Sequence, residues 1–407
     1  MTFLRNNCVP SCRRLFRSRA VRGLVKAMSG LPEPKQAGKT RHPTWRCLLI
    51  VLLSLVHGKN WVSDAREFAE RHEGKLRKLF GEGYGTPSYC TLVRALHKAG
   101  RHCAALAASM GFASGGGGGS QMDGKAVRAT RDALRDNSAL DIVELSGGSG
   151  MLDFEACGPG GKERSEKAAM AALIKRNAKA LRRGAPLTID AIAACSPLTS
   201  LMGRLGIPFC VCIKNEGRGL GEAIASDFAA RKGELRPLTA RERSGGRAET
   251  REFYYIEDPS AAWAIYGGRR WEGVAHIGMV RRVSTELKGG KAAEQVRYYL
   301  LSEGVTHRAF KEARLRHWSI EAAHWVLDYS FQEDRHRLGG KDHGAALAMG
   351  IIRRKAYEAI RSSLRPGMDF SKARRELSEE GFREALYILS GKGATAAAKL
   401  ARNDQKK

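Results

Sequence analysis

From Gln121 to Ile213, apolar runs and helical patterns follow one another in an order that restricts the fold more than any other part of the chain. Three strand signals come first, a short run ending near Asp123, then Asp141–Leu145 and Met151–Ala156. A helical pattern follows over about Arg164–Arg182. Next come the apolar run PLTIDA (Pro186–Ala191), a helical stretch Thr199–Leu205 and a second apolar run IPFCVCI (Ile207–Ile213). Three strands, helix, strand, helix, strand predicts an α/β fold with a mixed sheet covered by helices. Asp123 and Asp190 each stand near the end of a strand signal. A carboxylate there is costly if buried without a partner, so Asp190 is either a ligand for a cation or an N-cap for the segment that follows.

The flanks divide the rest of the chain. Residues 1–40 are basic and turn-rich and read as a disordered arm without the apolar centre of a secretory signal. Residues 41–112 read as a small all-helical N-terminal domain, with a buried helix around CLLIVLLSLV (Cys47–Val56) and Ser88 as an N-cap. That apolar run is too short to span a bilayer, so no membrane partner is expected. The run SGGGGGS within 113–120 is expected to be a flexible linker. It lacks the Gly-Lys-Ser/Thr ending of a phosphate loop. Residues 121–365 form the main domain, interrupted at about 216–303 by a β-rich insertion with strand signals at Glu252–Ile256, Val274–Ser284 and Gln295–Ser302. Residues 366–407 read as a helical tail.

After the insertion comes THRAFKEARLRHWSIEAAHWVLDYSFQED (Thr306–Asp334). His317, Glu321, His324 and Asp328 recur at i, i+4, i+7 and i+11 and so share one helical face. A polar stripe of this kind belongs equally to a surface helix. Trp318 and Trp325 are expected to pack the helix against the core, with stacking on an unpaired base as the alternative. If this helix crosses the strand ends, Asp123, Asp190 and Glu321 form a set of oxygen ligands suited to two hard divalent cations. Two such ions can activate a water or a 3′-hydroxyl and stabilise the leaving oxygen of a phosphodiester.

Charge points to the partner. The chain carries 70 Lys and Arg against 42 Asp and Glu, a formal net charge of +28 spread along its length. Such an excess favours a polyanion, most simply DNA or RNA. Arg241, Arg243, Arg247 and Arg251 in the basic part of the insertion are candidates for phosphate contact, with a solvated loop as the alternative. The nine cysteines show no zinc spacing or paired framework and are expected to be reduced.

The segments MDGKAVR, LTIDAIA, IPFCVCIKN, GGRAETRE and above all LRHWSIEAAHWVLDYSFQEDRHR resemble the insertion-sequence transposases of the H-repeat-associated (ISAs-type) family, within the wider Asp-Asp-Glu transposases. The resemblance implies a ribonuclease-H-like core, with the β-rich insertion placed before the last catalytic helix. It implies that Asp123, Asp190 and Glu321 are the catalytic acids and hold two Mg²⁺ (or Mn²⁺) ions. It further implies phosphate contact at Lys214, with Lys125 and Trp318 also expected at the DNA. His317 is expected either to contact a phosphate or to orient Glu321, with His324 and Asp328 as neighbours of the acids. Related transposases carry an arginine and a lysine where His317 and Asp328 stand. Cys195 occupies a position where the family usually has glutamine. The implied activity is a cytoplasmic, nucleoid-associated bacterial DNA transposase. It would work as a homodimer on terminal inverted repeats and target DNA, cleaving element ends and joining 3′-OH ends to the target. A metal-dependent nuclease on the same core and an inactive DNA-binding remnant are the rival expectations.

Overall fold

The computed structural model describes residues 18–33, 40–81, 83–111, 119–131, 139–147, 150–157, 162–213, 219–244, 246–287, 289–335, 337–338, 343–364, 368–380 and 382–389. Most of the glycine run and Lys214 lie outside them. The helical N-terminal part comprises α1 (Arg19–Ser29), α2 (Thr44–Val56), α3 (Val62–Arg71), α4 (Glu73–Phe80), α5 (Tyr89–Gly100) and α6 (Cys103–Ser109). Then come β1 (Gln121–Val127), β2 (Leu140–Gly147), β3 (Gly150–Ala156), α7 (Lys162–Arg182), β4 (Leu187–Ile189), α8 (Ser196–Arg204) and β5 (Phe209–Ile213). The insertion contributes α9 (Leu220–Ala230), β6 (Leu238–Ser244), β7 (Arg247–Ile256), α10 (Ser260–Ile265), β8 (His276–Glu286) and β9 (Ala292–Leu301). The chain continues with α11 (His307–Tyr329), α12 (Gly344–Arg361), α13 (Phe370–Glu380) and α14 (Phe382–Leu389).

All nine strands form one mixed sheet in the order β3-β2-β1-β4-β5-β9-β8-β7-β6. Strands β1, β2 and β3 are antiparallel neighbours, while β4 is parallel to both β1 and β5. The predicted α/β class is therefore observed. The insertion adds its strands to the same sheet, because β9 pairs antiparallel with β5.

Side-chain alternation along each strand assigns its two faces. Met122, Val143, Leu145, Ile189, Val211 and Leu300 point to one face, where they pack with Met170, Leu173 and Ile174 of α7 and Ile224 of α9. The opposite face is covered by helices from both ends of the chain. Val127, Ile142 and Phe154 there join Leu327 of α11, Ile351 of α12 and Leu52 of α2 in a single core. Cys210, Cys212, Tyr299, Leu301 and Phe253 meet Phe310 at the start of α11.

The helix α2 is apolar around its circumference, and Cys47 through Val56 are all buried. Such a helix must be enclosed on every side. The C-terminal end of α5 and the first turn of α12 approach so closely that a Cβ on Gly100 would lie 1.8 Å from the carbonyl oxygen of Gly344. The N-terminal helices thus share their core with α12, which lies more than 200 residues later in the chain.

Two elements differ from expectation. Part of the arm is a helix, α1, whose Val21, Leu24, Val25 and Met28 are buried. Their i, i+3, i+4, i+7 spacing makes an apolar stripe, which the density of arginine around it obscured. The insertion holds four strands and not three, since Leu238–Ser244, within the stretch read as basic and polar, forms β6. It pairs only with β7, so its TARERS side chains alternate charge where a central strand would alternate apolar residues. Among the described residues no helix is long and apolar enough to cross a membrane.

Candidate active site

The parallel pairing of β1 with β4 aligns Gln121 with Thr188 and Met122 with Ile189. Asp123 and Asp190 follow one residue later on each strand. They are therefore side by side on neighbouring chains, about 5 Å apart at the backbone by ordinary strand spacing. Alternation puts them on the face opposite Met122 and Ile189, under α11. Asp123 is half-buried, and its Oδ1 accepts a 2.8 Å hydrogen bond from the backbone N–H of Gly124. Asp190 is exposed, just beyond β4. It occupies the N-cap position of the short turn Ala191–Ala193, yet its side chain makes no capping hydrogen bond. Its carboxylate therefore does not serve as the cap that the sequence allowed.

Helix α11 is started by Thr306, whose hydroxyl accepts a hydrogen bond from the N–H of Ala309 at 3.2 Å. Three members of its polar stripe then reach down to β4 and β1 in turn. His317 Nδ1 shares a 2.8 Å hydrogen bond with the hydroxyl of Thr188. His324 Nδ1 lies 3.4 Å from Asp123 Oδ2, and its Nε2 lies 3.6 Å from Glu144 Oε2. Asp328 pairs with the ammonium of Lys125. The stripe thus faces the sheet, not water. Glu321 is in the same helix, four residues after His317 and three before His324. The side chains of Glu321 and Trp318 lie outside the described residues. Trp325 departs from the packing expectation, being 57% exposed and stacked on the 64%-exposed Tyr329 at 4.8 Å between centroids.

Beneath the acids runs a buried chain of charge. Glu144 lies opposite Asp123 in the β1–β2 register. Its Oε2 accepts a 2.6 Å bond from Arg354 Nε, and Arg354 also donates to Glu333 Oε1 at 2.9 Å and to the Gly350 carbonyl at 3.1 Å. Glu333 Oε2 lies 3.3 Å from Lys125 Nζ, which closes the chain on Asp328. Burial raises the cost of charge on Glu144, but the Arg354 guanidinium and His324 outweigh it and hold the carboxyl far below its ordinary range. Burial likewise opposes the charge on Glu333, and Arg354 and Lys125 overcome it to give a pKa of about 2.

The two histidines are driven apart. Burial and then the positive charges of Arg314 and Arg297 push His317 down to about 3, so it is neutral. His324 is disfavoured by burial yet raised to about 9 by its bonds and charge interactions with Asp123 and Glu144, so it is a cation near neutrality. An unfolded histidine titrates near 6.5. Between about pH 3 and 6.5 the unfolded chain therefore binds more protons at residue 317 than the folded one, and folding weakens as pH falls through that window. At residue 324 the folded chain binds more protons between about 6.5 and 9, so that contribution is lost as pH rises. With divalent ions removed by a chelator, we expect His317→Gln to flatten the acid limb of a urea-stability profile by roughly 3 kcal/mol at pH 4. An acid limb parallel to that of the wild type would exclude this role.

The other sequence candidates scatter. Lys125, expected at DNA, has its side chain only 7% exposed and serves the buried chain of charge. His317 is 4% exposed and is held by Thr188. Arg251 is buried between Glu242 and Glu249, and Arg247 pairs with Glu286. Arg241 and Arg243 are exposed on the edge strand β6. The sequence reading missed Glu144, Glu333 and Arg354. Their signal was a charge within an otherwise apolar pattern, as in DIVEL and GIIRRKA. Among the described residues no group of three or more His, Cys, Asp or Glu side chains is arranged to hold a metal ion. The oxygen-only pair Asp123 and Asp190, adjacent and open on the exposed side, has the donor chemistry of a Mg²⁺ or Mn²⁺ site and would accept a third carboxylate.

A family model described as DDE_Tnp_1-associated matches residues 25–102, the helical N-terminal part. The chain is 24% identical over 341 residues to "H repeat-associated putative transposase YhhI" of Escherichia coli strain K12, covering 81% of this chain and 88% of that one. It is 23% identical over 367 residues to "Putative transposase YncI" of Escherichia coli O157:H7, covering 84% and 88%. The chain is thus similar over most of its length to proteins named as transposases, and over residues 25–102 to a region associated with transposases of the DDE type. Within that class, its resemblance is to the H-repeat-associated transposases.

Proposed function

We propose that this chain is the DNA transposase of a bacterial insertion sequence, acting at the nucleoid in the cytoplasm. It cleaves the element's terminal inverted repeats and joins the freed 3′-OH ends to target DNA, working as a homodimer. The observation that carries this reading is the side-by-side placement of Asp123 and Asp190 on parallel strands, crossed on the same face by the helix that contains Glu321. The sheet order β3-β2-β1-β4-β5, antiparallel then parallel, with helices on both faces, supports a ribonuclease-H-like core.

In this reading Asp123, Asp190 and Glu321 hold two Mg²⁺ or Mn²⁺ ions. When bound, the ions supply activation of the attacking oxygen and stabilisation of the leaving oxygen. His324 fixes the orientation of Asp123 and offsets its charge against Glu144. His317 ties the helix to β4 through Thr188 and so sets the height of Glu321 above the strand ends. The exposed Arg241 and Arg243, with Lys214 beyond β5, contact DNA phosphates. Trp318, one residue after His317, contributes to the same DNA surface.

The test is incubation of purified protein with Mg²⁺ and DNA carrying the inverted repeats that flank the gene. Strand-transfer products are expected. Cleavage without joining would identify a nuclease instead, and binding without cleavage an inactive remnant.

A further inference from the structure

The face of the sheet that carries the acids continues without interruption into the insertion. Thr188 is aligned with Cys210, and Cys212 with Tyr299. Asp190, two residues after Thr188, therefore lies in line with Cys212 and then Tyr299. Tyr299 is two strands away from Asp190, or about 10 Å by strand spacing. At Tyr299 the sheet and α11 enclose a cavity of about 120 Å³. Its floor includes Tyr299 and Phe253, and its walls carry four guanidinium groups, from Arg251, Arg282, Arg297 and Arg314.

No carboxylate is among the described residues that line this cavity. Outside that lining, Glu249 pairs with Arg251 and Arg282, and Glu242 pairs with Arg251. Among the described lining residues the charged groups are these four guanidiniums. The groups are also held in place. Arg314 is buried and lies over the Tyr299 ring at 4.7 Å. Arg251 is pinned by its two acids. Arg297 is exposed at the mouth. Fixed, planar guanidiniums converging on a small cavity suit a tetrahedral oxyanion that can accept paired hydrogen bonds.

We propose that this cavity binds a backbone phosphate of the DNA strand on which the acids act. The inference rests on the transposase reading, and it adds a register. Along the duplex axis each strand rises about 3.4 Å per nucleotide. Because phosphates wind around that axis, neighbours on one strand are farther apart, roughly 6–7 Å, so about 10 Å corresponds to a phosphate one or two nucleotides from the reacting one. The cavity thereby fixes where along the strand cleavage falls, and the insertion becomes a ruler attached to the catalytic sheet.

The test uses the full-length chain and end-bearing DNA in Ca²⁺, which permits binding to be read without cleavage. Arg297→Ala is the main variant, because an exposed side chain can be removed without disturbing the core. Arg297→Lys keeps the charge. For Arg297→Ala we expect about tenfold weaker binding and a slope of log K against log salt reduced by about 1, with Arg297→Lys keeping the wild-type slope and an intermediate affinity. A neutral methylphosphonate placed singly along the strand should weaken wild-type binding at a position one or two nucleotides from the cleavage site. The same substitution should have no effect in Arg297→Ala.

An unchanged slope and an unchanged methylphosphonate pattern would overturn the cavity's role while leaving the transposase reading intact. Failure of the wild type to bind DNA would overturn both. Stabilisation of the wild type by inorganic phosphate, lost in Arg297→Ala without any change in DNA binding, would assign the cavity to a free anion and overturn the proposal.

Discussion

Asp123→Asn is expected to lower DNA strand cleavage about a thousandfold or more while leaving the fold and DNA binding unchanged. A thousandfold corresponds to about 4 kcal/mol of lost transition-state stabilisation. The fold should tolerate the change, because an asparagine oxygen can still accept the Gly124 N–H, and His324 keeps Glu144 as a partner. What is lost is a charged oxygen ligand next to Asp190. Asp190→Asn and Glu321→Gln should show the same loss. The double variant should be little worse than either single one, since groups that act as a unit are not additive. The measurement is single-turnover cleavage in Mg²⁺ alongside binding in Ca²⁺. Cleavage by Asp123→Asn within about tenfold of wild type would remove Asp123 from the catalytic set.

Arg354→Met should carry the largest cost in stability. Arg354 is 2% exposed and is the cation shared by Glu144 and Glu333, themselves buried. Removing it leaves two carboxylates in the core facing each other's charge, a change that commonly costs 3–5 kcal/mol. The loss should appear as a lower urea midpoint at neutral pH. It should narrow as pH falls, because protonated glutamates can be buried neutral. The combined Glu144→Gln, Glu333→Gln, Arg354→Met variant should regain part of the loss, as replacing a whole buried ion cluster is far milder than breaking it. A loss below about 1 kcal/mol for Arg354→Met would show that the cluster is not holding the strands to α12.

Much of the candidate site's framework was legible because it rests on local periodicity. The apolar runs of β4 and β5 mark buried strands, and the period of α11 puts His317, His324 and Asp328 on one face. Whether that face meets protein or water was not legible, because a surface helix carries the same polar stripe. Nor was the identity of the residues it meets. Thr188, Asp123 and Lys125 answer His317, His324 and Asp328 because β1 and β4 are parallel and adjacent, and strand adjacency has no local signature. Lys125 reads from its neighbours as a surface lysine. Only the approach of Asp328, 203 residues away, and of Glu333 makes its burial affordable.

The independence of the N-terminal part was read from the glycine run, and local composition could not reveal that α12 shares its core. Strand β6 was missed for a related reason, since an edge strand paired on one side needs no apolar alternation. The sequence by itself determined the strand and helix order, the strand-end positions of Asp123 and Asp190, and the polar face of the helix that holds Glu321. Tertiary structure alone decided that Glu144, Arg354 and Glu333 form a charged core beneath them, and that three arginines of the insertion and Arg314 of α11 converge beside the same face. The physical reason is that a charge inside a protein is stable only in relation to its partners. Those partners lie far apart along the chain, Glu144 and Arg354 by 210 residues.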